Sequence, residues 1–225
     1  MAKKILVIDD EKSILDLVKY NLEKEGYNVK TLLGGKDALK VAADYRPDLI
    51  VLDIMMPDKD GVEVCRELRE DSSFFDTIIV FLTARSEEYS EVAGFDVGAD
   101  DYISKPIKPR AMISRINAHF RRDKKKDKSA DAIEKGELKI DRSSYLVTRG
   151  DEEFSLPRKE FELLYFLAKN SGKVYTRDQL LKSIWGTDVY VLARTVDVHI
   201  RKVREKIGEG FIKTVKGVGY KFELD

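Results

Sequence analysis

Cysteine is nearly absent: Cys65 is the only one in 225 residues, which excludes an internal disulfide and any metal site built on several thiolates. No apolar run approaches the ~20 residues needed to cross a bilayer. The opening Met1-Ala2-Lys3-Lys4 leads straight into Ile5-Leu-Val-Ile8 and then Asp9-Asp10, too short and too abruptly acidic for a secretory signal. A cytoplasmic protein with no membrane partner is therefore expected. Internal repeats are also lacking. Net charge is zero, with 41 basic and 41 acidic residues, but the balance conceals two unlike halves. Residues 1–120 carry 23 Asp and Glu against 17 Lys and Arg, while residues 121–225 carry 18 against 24. Opposite signs predict a cation or cationic group as partner for the first half and a polyanion for the second. What is present is a hydrophobic content of 43% with ten Phe and ten Tyr, enough for packed cores and against a disordered or fibrous chain.

The chain divides near residue 121. Residues 122–135 hold one large apolar residue, Ile133, among many charges, and such a segment buries no face. It is expected to be a solvated linker, rather than a basic arm on nucleic acid, because its acidic residues oppose that role. Residues 1–121 and 136–225 are then two domains. In the first, apolar runs at Ile5–Ile8, Leu49–Leu52 and Ile78–Leu82 predict buried strands, with weaker ones at Asn28–Leu32 and Tyr102–Ser104. Helical spacing lies between them, as in Ile14, Leu15, Val18 and Leu22. Strand and helix in alternation predict an α/β doubly wound, five-stranded parallel sheet. The second domain reads as a small α+β unit: short strands near 137–155, helices near 158–170, 177–185 and 194–207, and a terminal hairpin turning at Lys216-Gly217-Val218-Gly219.

In a parallel sheet, ligands sit at the carboxyl ends of the strands. Those ends carry Asp9-Asp10, Asp53, Thr83 and Ser104-Lys105-Pro106. Carboxylates so gathered repel unless a cation joins them. An oxygen-only donor set suits Mg²⁺, or Mn²⁺. A carboxylate beside such an ion can attack a phosphoryl group to give an acyl phosphate, and Asp53, on the central apolar strand, is the best nucleophile. A lysine ammonium and a hydroxyl would offset charge on the phosphoryl oxygens.

Asp9-Asp10, Asp53-Ile-Met-Met-Pro-Asp-Lys-Asp-Gly61, Thr83-Ala-Arg85, Gly98-Ala-Asp-Asp-Tyr102 and Lys105-Pro106 together resemble the flavodoxin-like receiver domain of bacterial two-component response regulators. The resemblance implies that Asp53 takes a phosphoryl group from a sensor histidine kinase. It implies that Asp10, Asp53 and the Met55 backbone carbonyl hold Mg²⁺, with Asp9 acting through water. Lys105 would pair with the phosphoryl group, Thr83 would move toward it, and Tyr102 would turn inward. The Lys105-Pro106 bond is expected to be cis. Met55 offers attacking water only a thioether and Arg85 could cover the group, so a phosphoryl lifetime of many minutes is expected.

On a helical wheel of Arg194–Ile207, Val196, Ile200, Val203 and Ile207 form a narrow apolar stripe. The opposite arc carries Arg194, Val198, Arg201, Lys202 and Glu205, flanked by Asp197, His199, Arg204 and Lys206. An anchored apolar side with a basic outer side suits a major groove, and Val198 suits a thymine methyl. Residues 136–224 resemble the winged-helix effector domain of the OmpR/PhoB subfamily. The motifs are Phe161-Glu-Leu-Leu164, Thr176-Arg-Asp-Gln-Leu-Leu181, Trp185-Gly186, Arg194-Thr-Val-Asp-Val-His-Ile200 and Thr214-Val-Lys-Gly-Val-Gly-Tyr220. The resemblance makes Arg194–Ile207 the recognition helix, puts Trp185, Thr195 and His199 on the sugar-phosphate backbone, and places Lys216 of the wing near the minor groove. It also implies a homodimer on activation through the helix before the fifth strand, that strand and the helix after it. Asp101 and Arg115 would supply one ion pair there. Glu91 stands where relatives usually have lysine, Ala111 where they have glutamate, and Asn117 where a basic residue is common, so that face is altered.

The expected function is a phosphorylation-switched transcription regulator acting on double-stranded promoter DNA, with RNA polymerase as a further partner, and not an enzyme in its own right. Two rivals stand beside it. A Mg²⁺-dependent phosphohydrolase of the haloacid dehalogenase kind would need an Asp where Met55 stands. A regulator that binds DNA without phosphate would leave the acidic site unused.

Overall fold

In the computed structural model the chain forms two compact units, residues 1–126 and 127–225. The structure describes residues 2–84, 97–124, 132–186 and 195–224. Arg85, Glu91, Arg194 and half of the expected linker, residues 125–131, lie outside the described residues.

The first unit contains β1 (Lys4–Asp9), α1 (Lys12–Lys24), β2 (Asn28–Leu33), α2 (Ala38–Tyr45), β3 (Leu49–Asp53), α3 (Gly61–Glu70), β4 (Ile78–Ala84), β5 (Asp101–Lys105) and α4 (Pro109–Lys124). All strand pairs are parallel, in the order β2-β1-β3-β4-β5. Side chains alternate between the two faces of a strand. Ile5, Val7, Val51, Val80, Leu82 and Ile103 therefore share one face, closed by Leu15, Val18 and Leu22 of α1 and by Met112, Ile116 and Phe120 of α4. Leu6, Ile8, Ile50 and Leu52 turn to the other face and are equally buried, where α2 lies on β1 and α3 on α2. Burial on both faces is why these strands read as unbroken apolar runs.

The second unit begins with an antiparallel sheet of β6 (Ala132–Lys135), β7 (Leu138–Asp141), β8 (Leu146–Arg149) and β9 (Glu152–Ser155). Helices α5 (Arg158–Lys169), α6 (Arg177–Ile184) and α7 (Thr195–Ile207) pack on one another. A second antiparallel sheet joins β10 (Tyr175–Thr176) to the hairpin of β11 (Ile212–Val215) and β12 (Gly219–Phe222). Thr176 caps α6: its hydroxyl accepts from the Gln179 amide while the Gln179 side chain accepts from the Thr176 amide. At Gly219 a Cβ would lie 2.0 Å from the Tyr175 carbonyl oxygen, so only glycine lets β12 approach β10 this closely.

The helix α4 continues to Lys124, into the start of the charged segment; the expected end of that segment at Lys135 needs correction, because it gives way earlier to β6. One half-buried apolar residue, Ile133, is enough there because β7 supplies the whole backbone ladder, with Ile133 opposite Ile140. The two-residue strand β10 is too short to show any periodicity, and no expectation covered it.

Candidate functional site

The ends of β1, β3 and β5 bring together what the sequence separates by nearly a hundred residues. Carboxylate oxygens of Asp9, Asp10 and Asp53 all lie within 4.8 Å of one another, Asp9 and Asp53 buried and Asp10 exposed. The Lys105 Nζ stands 3.1 Å from Asp9 Oδ2 and 3.1 Å from Asp53 Oδ1. It also lies 3.7 Å from Glu11, an exposed carboxylate that no motif singled out. Asp9 Oδ1 accepts from the Glu11 amide at 2.8 Å, which fixes its carboxyl while α1 begins.

Asp53 is 3% exposed. Its position depends on the turn that follows. The Ile54 amide donates to the Leu82 carbonyl and the Gly61 amide to the Ile54 carbonyl, closing the segment onto β4. A Cβ on Gly61 would sit 2.1 Å from the Asp53 carbonyl oxygen, so the turn closes only around glycine. Asp60 then caps α3 by accepting from the Glu63 amide at 2.7 Å. Within the turn the Met55 side chain points out, 62% exposed.

The charges are strained in a consistent direction. Burial pushes the Asp53 carboxyl up to about 6, the Lys105 hydrogen bond pulling against it and the neighbouring Asp9 adding to it. Burial likewise raises Asp9, against the Glu11 amide and Lys105. Burial would lower Lys105, but the hydrogen bonds it donates to Asp53 and Asp9 outweigh this and hold the ammonium above its ordinary value. One lysine thus only partly offsets three carboxylates. The donors are hard oxygens with no His or Cys, the set that a divalent ion such as Mg²⁺ or Mn²⁺ prefers, so the residues fit such an ion.

Thr83 is buried in β4, one residue beyond Leu82, which pairs with Asp53. Tyr102 is 5% exposed, its ring tilted against Phe81 at 5.5 Å between centroids. The Lys105-Pro106 bond is cis.

Asp101 and Arg115, expected to supply an ion pair, lie against each other within this chain. Asp101 is buried; its Oδ1 accepts from Arg115 Nη1 at 2.8 Å and its Oδ2 lies 3.1 Å from His119 Nε2. Burial alone would raise this carboxyl, yet His119 and then Arg115 hold it below the ordinary carboxylate value. His119 was not anticipated, although its place one turn beyond Arg115 was legible. Asn117 accepts from the Tyr27 hydroxyl, and Ala111 is exposed.

On α7, the helix expected to read DNA, the apolar stripe holds: Val196, Ile200, Val203 and Ile207 are buried. Arg201 and Lys216 are exposed, Val198 and Lys202 half-buried. The expected backbone contacts need correction. Trp185 and His199 are each 1% exposed and their rings lie 5.1 Å apart, and Thr195 is buried too. They pack beneath the helix, because its flank is covered by the end of α6. Arg204 is also turned inward: its guanidinium donates to the Ile212 carbonyl at 2.6 Å and to Thr214 Oγ1 at 2.9 Å. No described helix is long and apolar enough to cross a membrane.

Comparison with known proteins agrees with both sites. The model of the response regulator receiver domain matches residues 5–117, and that of the C-terminal domain of transcriptional regulatory proteins matches residues 151–222. The alkaline phosphatase synthesis transcriptional regulatory protein PhoP of Bacillus subtilis (strain 168) is 44% identical over 236 residues, covering 99% of this chain and 98% of that protein. Among solved structures, a RitR mutant superposes with a TM-score of 0.78 at 32% identity over 100% of both chains. DrrB, an OmpR/PhoB homologue of Thermotoga maritima, gives a TM-score of 0.52 at 38% identity, covering 99% of this chain and 100% of that one.

Proposed function

Since the chain belongs to the OmpR/PhoB response regulators, a receiver domain joined to a transcriptional regulatory domain, we propose that Asp53 is its phosphoacceptor and that the acyl phosphate controls promoter binding. The receiver implies a histidine kinase as donor, and the second domain implies DNA as target. The observation that carries the proposal is the meeting of Asp9, Asp10 and Asp53 with Lys105 at 3.1 Å from two of them.

An Asp53 carboxylate oxygen attacks the phosphorus of a phosphohistidine; the P–N bond breaks, the P–O bond forms, and the imidazole leaves. Asp10, Asp53 and the Met55 carbonyl would hold Mg²⁺ or Mn²⁺, with Asp9 reaching it through water. Such an ion neutralises phosphoryl oxygens when bound. Lys105, now shared between Asp9 and Asp53, turns its ammonium to the incoming phosphoryl oxygens, and Thr83 hydrogen-bonds one of them. The distal face of the receiver then self-associates. Joining two DNA-binding domains makes the second half-site contact effectively intramolecular. Arg201, Lys202 and Val198 read the groove, Lys216 reaches from the wing, and RNA polymerase is recruited or blocked at the promoter. The site of action is the cytoplasm.

Asp53→Ala in the full chain should abolish phosphoryl-stimulated binding to a duplex that the wild type selects from random DNA, with the phosphorylated kinase as donor. Undiminished stimulation would refute the mechanism. The phosphohydrolase reading is not favoured, because an exposed thioether, Met55, stands where that chemistry needs a general acid.

A further inference from the structure

The side chains on the inner flank of α7 meet those of α6 and the hairpin around one carboxylate. Asp197 Oδ1 accepts from Arg177 Nε at 2.7 Å and from the Tyr220 hydroxyl at 2.7 Å. Arg177 is the first residue of α6, Asp197 lies in the first turn of α7, and Tyr220 sits in β12. The Tyr220 ring is buried between two guanidinium groups, Arg177 at 5.1 Å and Arg204 at 5.7 Å. Arg204 in turn spans β11 through the Ile212 carbonyl and Thr214 Oγ1.

We propose that Arg177, Asp197, Arg204 and Tyr220 are positioning residues for DNA binding, fixing the recognition helix and the hairpin as one unit so that both engage a duplex at once. The argument is geometric. The hairpin's β-ladder to the rest of the domain is only two residues long, Tyr175 to Tyr220 and Thr176 to Gly219. A ladder that short sets a strand's place but not the angle of the turn beyond it. The charged cluster supplies what the ladder lacks, at both ends of α7: Asp197 at the start and Arg204 near the finish. Fork-shaped guanidinium donors are suited to this because their planar geometry restricts direction as well as distance. The outward groups, Arg201 on the helix and Lys216 on the turn, are exposed, and the one ion pair of Arg201, to Glu205 at 3.5 Å, stays within α7 and does not link the helix to the turn. Their joint use of one duplex therefore depends on the cluster behind them.

The inference rests on the DNA-binding role of the second domain, and coupling is what distinguishes it from a role in stability alone. Full-length protein in Mg²⁺ and beryllofluoride, a phosphoryl analogue, is titrated with a duplex that the wild type selects from random DNA. Tyr220→Phe keeps the ring and removes the hydrogen bond to Asp197; affinity should fall about tenfold, the scale of a lost bond to a charged group. Lys216→Ala should weaken the wild type but add little in the Tyr220→Phe background, because a misplaced turn no longer delivers that lysine. If the two losses simply multiply, the positioning role is overturned. Asp197→Asn, which keeps an acceptor but loses the charge facing Arg177, gives the same cycle should Tyr220→Phe fail to fold. If the wild type selects no duplex, the DNA-binding reading itself falls and this role falls with it.

Discussion

The receiver gathers charge that it does not neutralise, whereas the effector domain neutralises charge that looks available. At the strand ends Asp9 and Asp53 share one lysine with Asp10 close by, and burial holds Asp53 up to about 6. On α7 the reverse occurs: Arg204 is tied to β11, Asp197 to Arg177, and Arg201 lies 3.5 Å from Glu205. A phosphoryl switch needs a site poised for a ligand it lacks, since only then does the ligand change the balance. A groove-reading helix needs a fixed frame, and several of its ions are spent in making one. Charge counts per half predict the partner's sign but not how many charges remain for it.

The comparison breaks most severely where the receiver does use a charge structurally. Arg69 Nη2 lies 2.7 Å from Asp100, both side chains buried, and Arg69 also donates to the carbonyls of Gly98, Phe74 and Thr77. Asp100 accepts from the Ile79 amide as well. Arg69→Ala would leave the buried Asp100 carboxylate without its cation and take a donor from the Gly98 and Thr77 carbonyls, at a cost of about 3–5 kcal/mol. Urea unfolding of the full chain checks it, read at the receiver's transition. A loss below about 1 kcal/mol would mean that the pair is not desolvated as drawn.

A smaller test separates two arginines three residues apart on α7. Arg204→Ala should lower the effector's stability by about 1–2 kcal/mol, through the orphaned Ile212 carbonyl and the uncovered Tyr220 ring. Arg201→Ala breaks only an exposed pair, so stability should change by no more than about 0.5 kcal/mol. Its effect should appear instead as weaker DNA binding with a shallower salt dependence. Paired thermal melts and salt titrations decide it. If both variants lose affinity and neither loses stability, Arg204 reaches DNA after all.

These arginines also show where sequence stops being legible. The sheet was readable because β1, β3 and β4 are buried on both faces, and the acidic site because parallel strands align their carboxyl ends. The stripe of α7 was readable for a similar reason: a wheel gives the direction of each side chain about its axis. A wheel does not say what stands beside the flank. Hence His199, on the flank of the wheel, packs on Trp185 beneath the helix, and Arg204, also on the flank, faces β11. The pairing of Asp101 with Arg115 was expected from the resemblance, but His119, 18 positions on, could not be seen to converge on the same carboxylate. Long-range side-chain pairing depends on how elements pack, and no local pattern records that.

The finest test sets two buried aspartates of the receiver against each other. Asp101 is held below its ordinary value of 3.8, so its contribution to stability is present above that pH and fades as pH falls through the lower folded value. Asp53 has the opposite sign. Its folded value of about 6 exceeds 3.8, so between these pH values the folded chain binds a proton that the unfolded chain has lost. Stability should therefore decline as pH rises across that window and level off above it. Asp53→Asn removes the ionisation, and the variant should gain on the wild type from pH 4 to 6. Because Lys105 stands beside the group and water reaches the site, the gain at neutral pH should be about 1 kcal/mol rather than the full shift. Mg²⁺ favours the ionised carboxylate and should close the gap between the two curves. Urea midpoints across this pH range, with and without Mg²⁺, measure it. A pH-independent difference would mean that Asp53 is comfortably ionised at rest, and the contrast between a poised site and a completed frame would then rest on Asp9 and Asp10 alone.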